Sequence, residues 1–298
     1  MNAIKISNLN KKFGESLVID DLSFEVPDKC ICGFLGPNGA GKTTTFKLLT
    51  NLLNKDSGKI EIFGECVTSN KQSKHLRFLQ DVPEFYNFMS SYEYLKFICQ
   101  LNNMTNIDKE IKETLELVGL HDVGNKRIGK FSRGMKQRIG IAASIISKPK
   151  ILILDEPVSA LDPIGRKEIF ELLNKLRGKM TILFSTHIID DIERVSDKIV
   201  IIHKGKKVLD GSIDDLKKRY ATNVIVLRFD EECDRVKFKK NYKAEYLEDN
   251  NDILRFKVES INQQIDVFKV LEKQKINIIG FNILTPTLEE IFIEEVTR

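Results

Sequence analysis

Apolar and polar residues alternate along residues 4–9 and again along 17–26, where the second run stops at Pro27-Asp28-Lys29. Alternation at period two turns one face of each segment toward a core, so the pair is expected as strands of an antiparallel element. The pattern then changes. Cys30–Leu35 is almost wholly apolar and enters a glycine-rich stretch, after which Thr44, Phe46, Leu48 and Leu49 begin a helical repeat. A short unbroken apolar run suits a strand buried on both faces, so the order is buried strand, loop, helix. Residues 58–63 return to alternation. Between about 90 and 121, Tyr94, Leu95, Ile98, Ile107, Ile111, Leu115 and Val118 recur at helical spacing, and a further helix is expected over Lys136–Ile146. Ile151–Leu154 (strand), Ile164–Leu176 (helix), Met180–Ser185 (strand) and Ile188–Val195 (helix) then alternate, which predicts a parallel sheet with helices on both faces. A hairpin turning at Lys204-Gly205-Lys206 follows.

Beyond Tyr220 the texture is different. Residues 224–229, about 236–247 and 253–258 read as strands, 263–272 as a helix and 276–284 as a strand. Thr287 with Glu290 three residues on offers a capping box for a last helix. Charge shifts at the same place: residues 221–298 carry 12 basic and 15 acidic side chains, while the whole chain is +4. The expected fold class is α/β, with an antiparallel β subdomain, a helical insertion at about 84–148 and a small α+β C-terminal domain. The expected boundary lies between 220 and 221.

Composition narrows the class. With 298 residues, 42% hydrophobic, 30% charged, 17 Gly and 7 Pro, the chain is neither collagen-like nor disordered, and it needs no disulfide staple to build a core. No apolar run approaches the ~18 residues that span a bilayer. The opening MNAIKISNLNKKFG is polar where a leader would be apolar, so a cytoplasmic chain is expected. Five cysteines without CxxC spacing read as reduced thiols, and a net charge of +4 is too slight for a nucleic-acid footprint.

Chemistry enters with Gly36-Pro37-Asn38-Gly39-Ala40-Gly41-Lys42-Thr43, which fits GxxxxGK[ST] and lies between a buried strand and a helix, with Thr44 directly after it a further candidate for the same ligand. Glycines let backbone N–H groups turn inward on a polyphosphate, and the helix N-terminus adds positive potential. Lys42 reaches the outer phosphates and Thr43 ligates Mg²⁺. Asp155 and Glu156 follow the aliphatic strand 151–154. Successive strand residues point oppositely, so Asp155 can face the Mg²⁺ shell while Glu156 faces an attacking water.

A third segment, Phe131-Ser132-Arg133-Gly134-Met135, lies 23 residues before Asp155 and opens a helix. With it, the ordered motifs over about residues 3–215 resemble the ATP-binding subunit of ABC transporters, of exporter type, on a P-loop NTPase core. FSRGM stands in place of the family's LSGGQ signature, Ser159-Ala160-Leu161-Asp162 in place of its D-loop, and His187 in place of its switch histidine. The closing Pro286-Thr287-Leu288-Glu289-Glu290-Ile291-Phe292 looks like the end of bacterial exporter ATPases with an accessory domain.

The resemblance implies ATP and Mg²⁺ as ligands, with Phe13 stacking on adenine and Glu156 and His187 as catalytic groups. Ser132 and Gly134 would contact the γ-phosphate held by a second subunit, and Asp162 would cross that interface. It therefore implies a homodimer or heterodimer joined to a separate transmembrane permease at the cytoplasmic face of the membrane. Two departures stand out: Arg133 and Met135 replace a glycine and a glutamine of the signature, and Asp81, with Gln80 one step earlier, occupies the place of the Q-loop glutamine. One of these two is expected as a Mg²⁺ and water sensor, and the expectation favours Asp81. The rival readings are a soluble non-transport ATPase of the same family and a nucleotide-gated regulator.

Overall fold

The structure is a computed structural model that describes residues 1–68, 74–219, 224–250, 252–258, 260–284 and 287–297, with Ile261 and 293–297 described by backbone alone. It divides into two compact units, Met1–Ile213 and Asp214–Arg298. The division falls a few residues before the expected one, and Tyr220 itself lies outside the described residues.

The first unit begins with β1 (Asn2–Phe13) and β2 (Ser16–Pro27), paired antiparallel, followed by β3 (Ile31–Leu35), α1 (Lys42–Leu49), β4 (Ser57–Ile62) and the short β5 (Glu65–Cys66). Strands β2-β1-β4-β5 form one antiparallel sheet. Then come β6 (Leu76–Leu79), α2 (Ser91–Leu101), α3 (Ile107–Leu117), α4 (Arg133–Ile145), β7 (Ile151–Leu154), α5 (Pro163–Leu176), β8 (Thr181–Thr186), α6 (Ile189–Val195), β9 (Lys198–His203) and β10 (Lys206–Ser212). The second sheet has the order β10-β9-β3-β8-β7-β6, parallel throughout except for the β9–β10 hairpin.

Every residue of β3, β7 and β8 is buried, as a sheet covered on both faces requires. On one face, Phe24 of β2, Phe34 of β3 and Phe46 of α1 meet with ring centroids 5.3 and 5.5 Å apart, joining the two sheets and α1 in one core. On the other face α6 comes so close that a Cβ on Gly33 would lie 2.1 Å from Ile192 Cδ1, so only glycine fits at the centre of β3. Register aligns the carboxyl ends of the parallel strands: Leu35 pairs with Thr186, and Leu154 with both Phe184 and Leu79. The loops leaving those ends share one edge of the sheet, where open α/β sheets bind their ligands.

The helical insertion, α2 to α4, starts on a capping box in which Ser90 and Glu93 exchange backbone and side-chain bonds. The second unit contains α7 (Ile213–Arg219), most of which lies in it, then β11 (Val224–Phe229), α8 (Glu232–Asn241), β12 (Tyr246–Asp249), β13 (Ile253–Lys257), α9 (Ile261–Lys273), β14 (Ile278–Leu284) and α10 (Leu288–Thr297). From β11 to β14 the order is βαββαβ with an all-antiparallel sheet β12-β13-β11-β14, the ferredoxin-like arrangement. Here an expectation is corrected: the first half of the strand read over 236–247 belongs to helix α8, and only Tyr246 and Leu247 are strand, in β12. Phe238 is the one buried residue of α8, too little for a helical period to register. Glu232 and Asp234 in its first turn and Lys239 and Lys240 in its last complement the helix dipole. The capping box at Thr287 and Glu290 is present, with bonds of 3.0 and 3.2 Å, whereas Pro286 lies outside the described residues.

Candidate functional site

The loop between β3 and α1 turns on Gly39 and Gly41, at φ 82° and 103°. Gly41 caps α1, and a Cβ there would also meet Ile19 Cδ1 at 2.6 Å, so both conformation and space exclude a side chain. Lys42, at the first helical position, is 6% exposed and turns back into the loop. Its ammonium donates to the Gly36 carbonyl at 2.7 Å and the Pro37 carbonyl at 3.3 Å. A buried ammonium needs a counter-charge, and Glu156 supplies it, with Oε1 at 3.2 Å.

The Thr43 hydroxyl donates to Asp155 Oδ2 at 2.7 Å. Asp155 is 3% exposed and leaves β7 in line, its N–H bonded to the Leu79 carbonyl. Glu156 then takes a left-handed conformation, φ 46°, which costs a non-glycine residue about 1–3 kcal/mol and clusters at working sites. What holds it is Ser185, which the sequence placed in the switch segment Ser185-Thr186-His187 but with no role of its own. The Ser185 hydroxyl donates to Asp155 Oδ1 at 2.6 Å and accepts the Glu156 N–H at 2.8 Å, orienting both carboxylate residues at once. The available signal was a hydroxyl pair, Ser185-Thr186, closing a strand that is otherwise nearly all apolar. His187 follows, with Nδ1 3.1 Å from Glu156 Oε2.

Lys42, Thr43, Asp155, Glu156 and His187 therefore form one connected cluster, assembled from the ends of three neighbouring parallel strands. The exposed hairpin end carrying Phe13 belongs to the same edge, since the Val18 carbonyl lies 3.1 Å from where a Gly41 Cβ would stand. The Phe13 ring is 48% exposed, with the Lys11 ammonium 5.4 Å from its centroid.

The other predicted residues stand apart from the cluster. Ser132 caps α4 and accepts the Met135 N–H at 3.3 Å; Asp162 caps α5 and accepts the Gly165 N–H at 3.1 Å. These two helix starts adjoin, a Cβ on Gly134 falling 3.9 Å from Leu161 Cδ2. Arg133 is exposed. Of the two rival residues after β6, Gln80 donates to the Val82 carbonyl at 2.9 Å, and the Asp81 carboxylate accepts the Ser159 hydroxyl at 2.9 Å. Among the described residues no hydrogen bond joins either to Thr43 or Asp155.

The residues fit a hard divalent cation. Thr43 Oγ1 and Asp155 Oδ2 offer two oxygens side by side, the pairing Mg²⁺ takes when substrate phosphates and water complete its shell.

The family described as "ABC transporter" matches residues 19–159, and the one described as "ATP-binding protein DrrA1-3-like, C-terminal domain" matches 211–296. An ABC transporter ATP-binding protein of Bacillus subtilis (strain 168) is 35% identical, the alignment covering 98% of this chain and 99% of that one. The bacitracin transport ATP-binding protein of Bacillus licheniformis is also 35% identical, over 98% and 96%. A solved ATP-binding subunit of an ABC transporter superposes with a TM-score of 0.66 at 26% identity, covering 73% of this chain and 93% of that one.

Proposed function

The chain belongs to the ATP-binding subunits of ABC transporters, and from that premise we propose that it pairs head to tail with a second such subunit and drives export through a separate membrane subunit. Its activity is ATP hydrolysis. The observation that carries the mechanism is the contact of one carboxylate, Glu156, with both the Lys42 ammonium and the His187 ring.

Backbone N–H groups at Asn38, Gly39 and Gly41–Thr44 would surround the phosphates, while those of Gly36 and Ala40 bond the Thr186 and Pro37 carbonyls, and Lys42 lies where the outer phosphates would come to rest. A γ-phosphate attracts the Lys42 ammonium away from Glu156, leaving the carboxylate free to take a proton from water as general base. His187, 39% exposed at the side chain, holds that water or the γ-phosphate from the strand beside it. Thr43 and Asp155 would hold Mg²⁺, which when bound neutralises phosphate charge. Phe13 offers a ring face for adenine.

Ser132, Gly134 and Asp162 serve the partner subunit's nucleotide. The exposure of Ser132 and Asp162 at two adjoining helix starts, away from their own subunit's cluster, supports that reading, and a two-fold pair then holds two ATP in its interface. Among the described residues no helix is long and apolar enough to cross a membrane, and relatives named for transport support a separate permease. The bacitracin-transport relative makes a peptide antibiotic the first cargo to test.

Phosphate release by the full-length protein, alone and with its permease in lipid vesicles, tests the reading. Turnover that needs ATP and Mg²⁺ and rises with the permease and its cargo is expected. Turnover indifferent to any permease would leave an ATPase without a transport role.

A further inference from the structure

Two hydroxyls close the buried strand β8, and the mechanism above uses only Ser185. Thr186, 1% exposed, points the other way. Its hydroxyl accepts the Ile188 N–H at 3.0 Å and donates to Asp191 Oδ2 at 3.1 Å. The single hydroxyl proton is thereby committed to the carboxylate, and a lone pair is committed to the amide. Thr186 thus holds the chain on both sides of His187.

Asp191, on α6, is itself 1% exposed, and its Oδ1 accepts the Arg166 guanidinium at 2.5 Å. A carboxylate so deeply buried needs a cation beside it. Arg166 lies in the first turns of α5, and its own N–H donates to the Asp162 carbonyl at 2.9 Å. A continuous chain of bonds therefore runs from Asp162 through Arg166, Asp191 and Thr186 to the backbone on either side of His187.

We infer that the Arg166–Asp191 pair, a partly exposed guanidinium on a buried carboxylate, acting through Thr186, is the positioning device for His187 and ties it to the Asp162 end of α5. Neither residue is among those proposed to touch nucleotide. The ring of His187 has to meet Glu156 and a γ-phosphate within a few tenths of an ångström, and misplacement by 1 Å costs about 10²-fold in rate. Because one end of the pair rides on α5, movement of the Asp162 segment as two subunits close would reach His187 through the Arg166–Asp191 and Asp191–Thr186 bonds. The inference rests on the ATPase reading and adds to it a link between the segment that faces the partner and the residue that reads the γ-phosphate.

The test measures ATP affinity and single-turnover hydrolysis on the full-length chain. Thr186→Val and Asp191→Asn should each slow hydrolysis about 10-fold or more while ATP affinity stays within about two-fold, and Thr186→Ser should restore the rate. The decisive arm combines Thr186→Val with His187→Ala. If Thr186 acts through His187, the double variant is no slower than His187→Ala alone. An undiminished rate in Thr186→Val, or an equal further loss on the His187→Ala background, overturns the inference. The Thr186 arms carry it even if Asp191→Asn is insoluble. Absence of turnover in the wild type would instead defeat the ATPase reading, a different and separable result.

Discussion

Lys42 Nζ stands 3.2 Å from Glu156 Oε1, an ion pair between the cation proposed to receive phosphate and the carboxylate proposed to receive a proton. In the proposed mechanism nucleotide binding and release of the base are the same event, since a γ-phosphate and Glu156 would compete for one ammonium.

Glu156→Gln follows directly. The amide keeps the shape, loses the base and no longer competes for Lys42. Turnover should fall at least about 100-fold, while ATP binds as tightly as to wild type or several-fold more tightly. An ATP-dependent dimer should then be trapped on a sizing column. Wild-type turnover in this variant would remove Glu156 from its role.

The Asp81–Ser159 bond sharpens the choice left open between Gln80 and Asp81. Ser159 N–H also bonds the Glu156 carbonyl at 3.2 Å, so Asp81 is tied to the turn that carries the base. Titrating Mg²⁺ separates the roles. Asp155→Asn should raise the Mg²⁺ needed for half-maximal rate about tenfold, whereas Asp81→Ala and Ser159→Ala should lower the rate alike and leave that midpoint within about two-fold. A raised midpoint in Asp81→Ala alone would make Asp81 a metal contact.

Legibility in the sequence followed burial and local chemistry. The strand 151–154 and the loop 36–43 were readable because each compresses its physics into a few consecutive residues: an unbroken aliphatic run, or glycines at required spacing. Ser185, Asp191 and Arg166 were not readable as site residues. Their roles arise from bonds that reach across neighbouring strands and helices, which no local period reports. Helix α8 was missed for the opposite reason, one buried side chain in ten residues leaving no pattern. Asp81 falls between these cases: its position was visible, but its partner lies 78 residues away.

Arg133 sits at the first helical position of α4, exposed, beside the serine that caps the helix. A guanidinium there adds a full charge to the helix's own N-terminal field, facing the γ-phosphate of a partner's nucleotide in the proposed dimer. In the Glu156→Gln background, Arg133→Ala should weaken the ATP-dependent dimer about 3- to 10-fold and flatten its dependence on ionic strength. Dimer strength and salt slope unchanged by the substitution would show that Arg133 faces solvent in the closed state.

Tyr246 provides a pH signature for the second unit. Burial, reinforced by the neighbouring Tyr242, pushes its phenol up to about 12, and its hydroxyl donates to the Tyr242 carbonyl at 2.6 Å. A raised folded-state value means the stabilisation is complete below the unfolded value of about 10 and is lost as pH climbs from there through about 12. Melting temperatures between pH 9 and 12 should fall more steeply in wild type than in Tyr246→Phe. Parallel curves would mean that the phenol ionises freely in the folded protein.

The second unit should fold on its own. Its core consists of its own residues: Ile225, Leu227, Phe229, Phe238, Leu254, Phe256, Val267 and Leu271 are buried together, with the Phe238 ring 5.3 Å from Tyr242 and 5.7 Å from Phe256. Every residue proposed for the ATP chemistry, by contrast, lies within Met1–Ile213. A fragment spanning 214–298 should therefore unfold cooperatively, and 1–213 should bind and hydrolyse ATP. In the intact chain, Phe256→Ala removes a fully buried ring and should cost that unit about 3–5 kcal/mol. Calorimetry should then show one transition shifted or lost while the other, identified by its upward shift on adding ATP, keeps its midpoint. A single transition that moves as a whole would mean that the two units unfold as one, and an inactive 1–213 fragment would mean that the ATP site depends on the residues after Ile213.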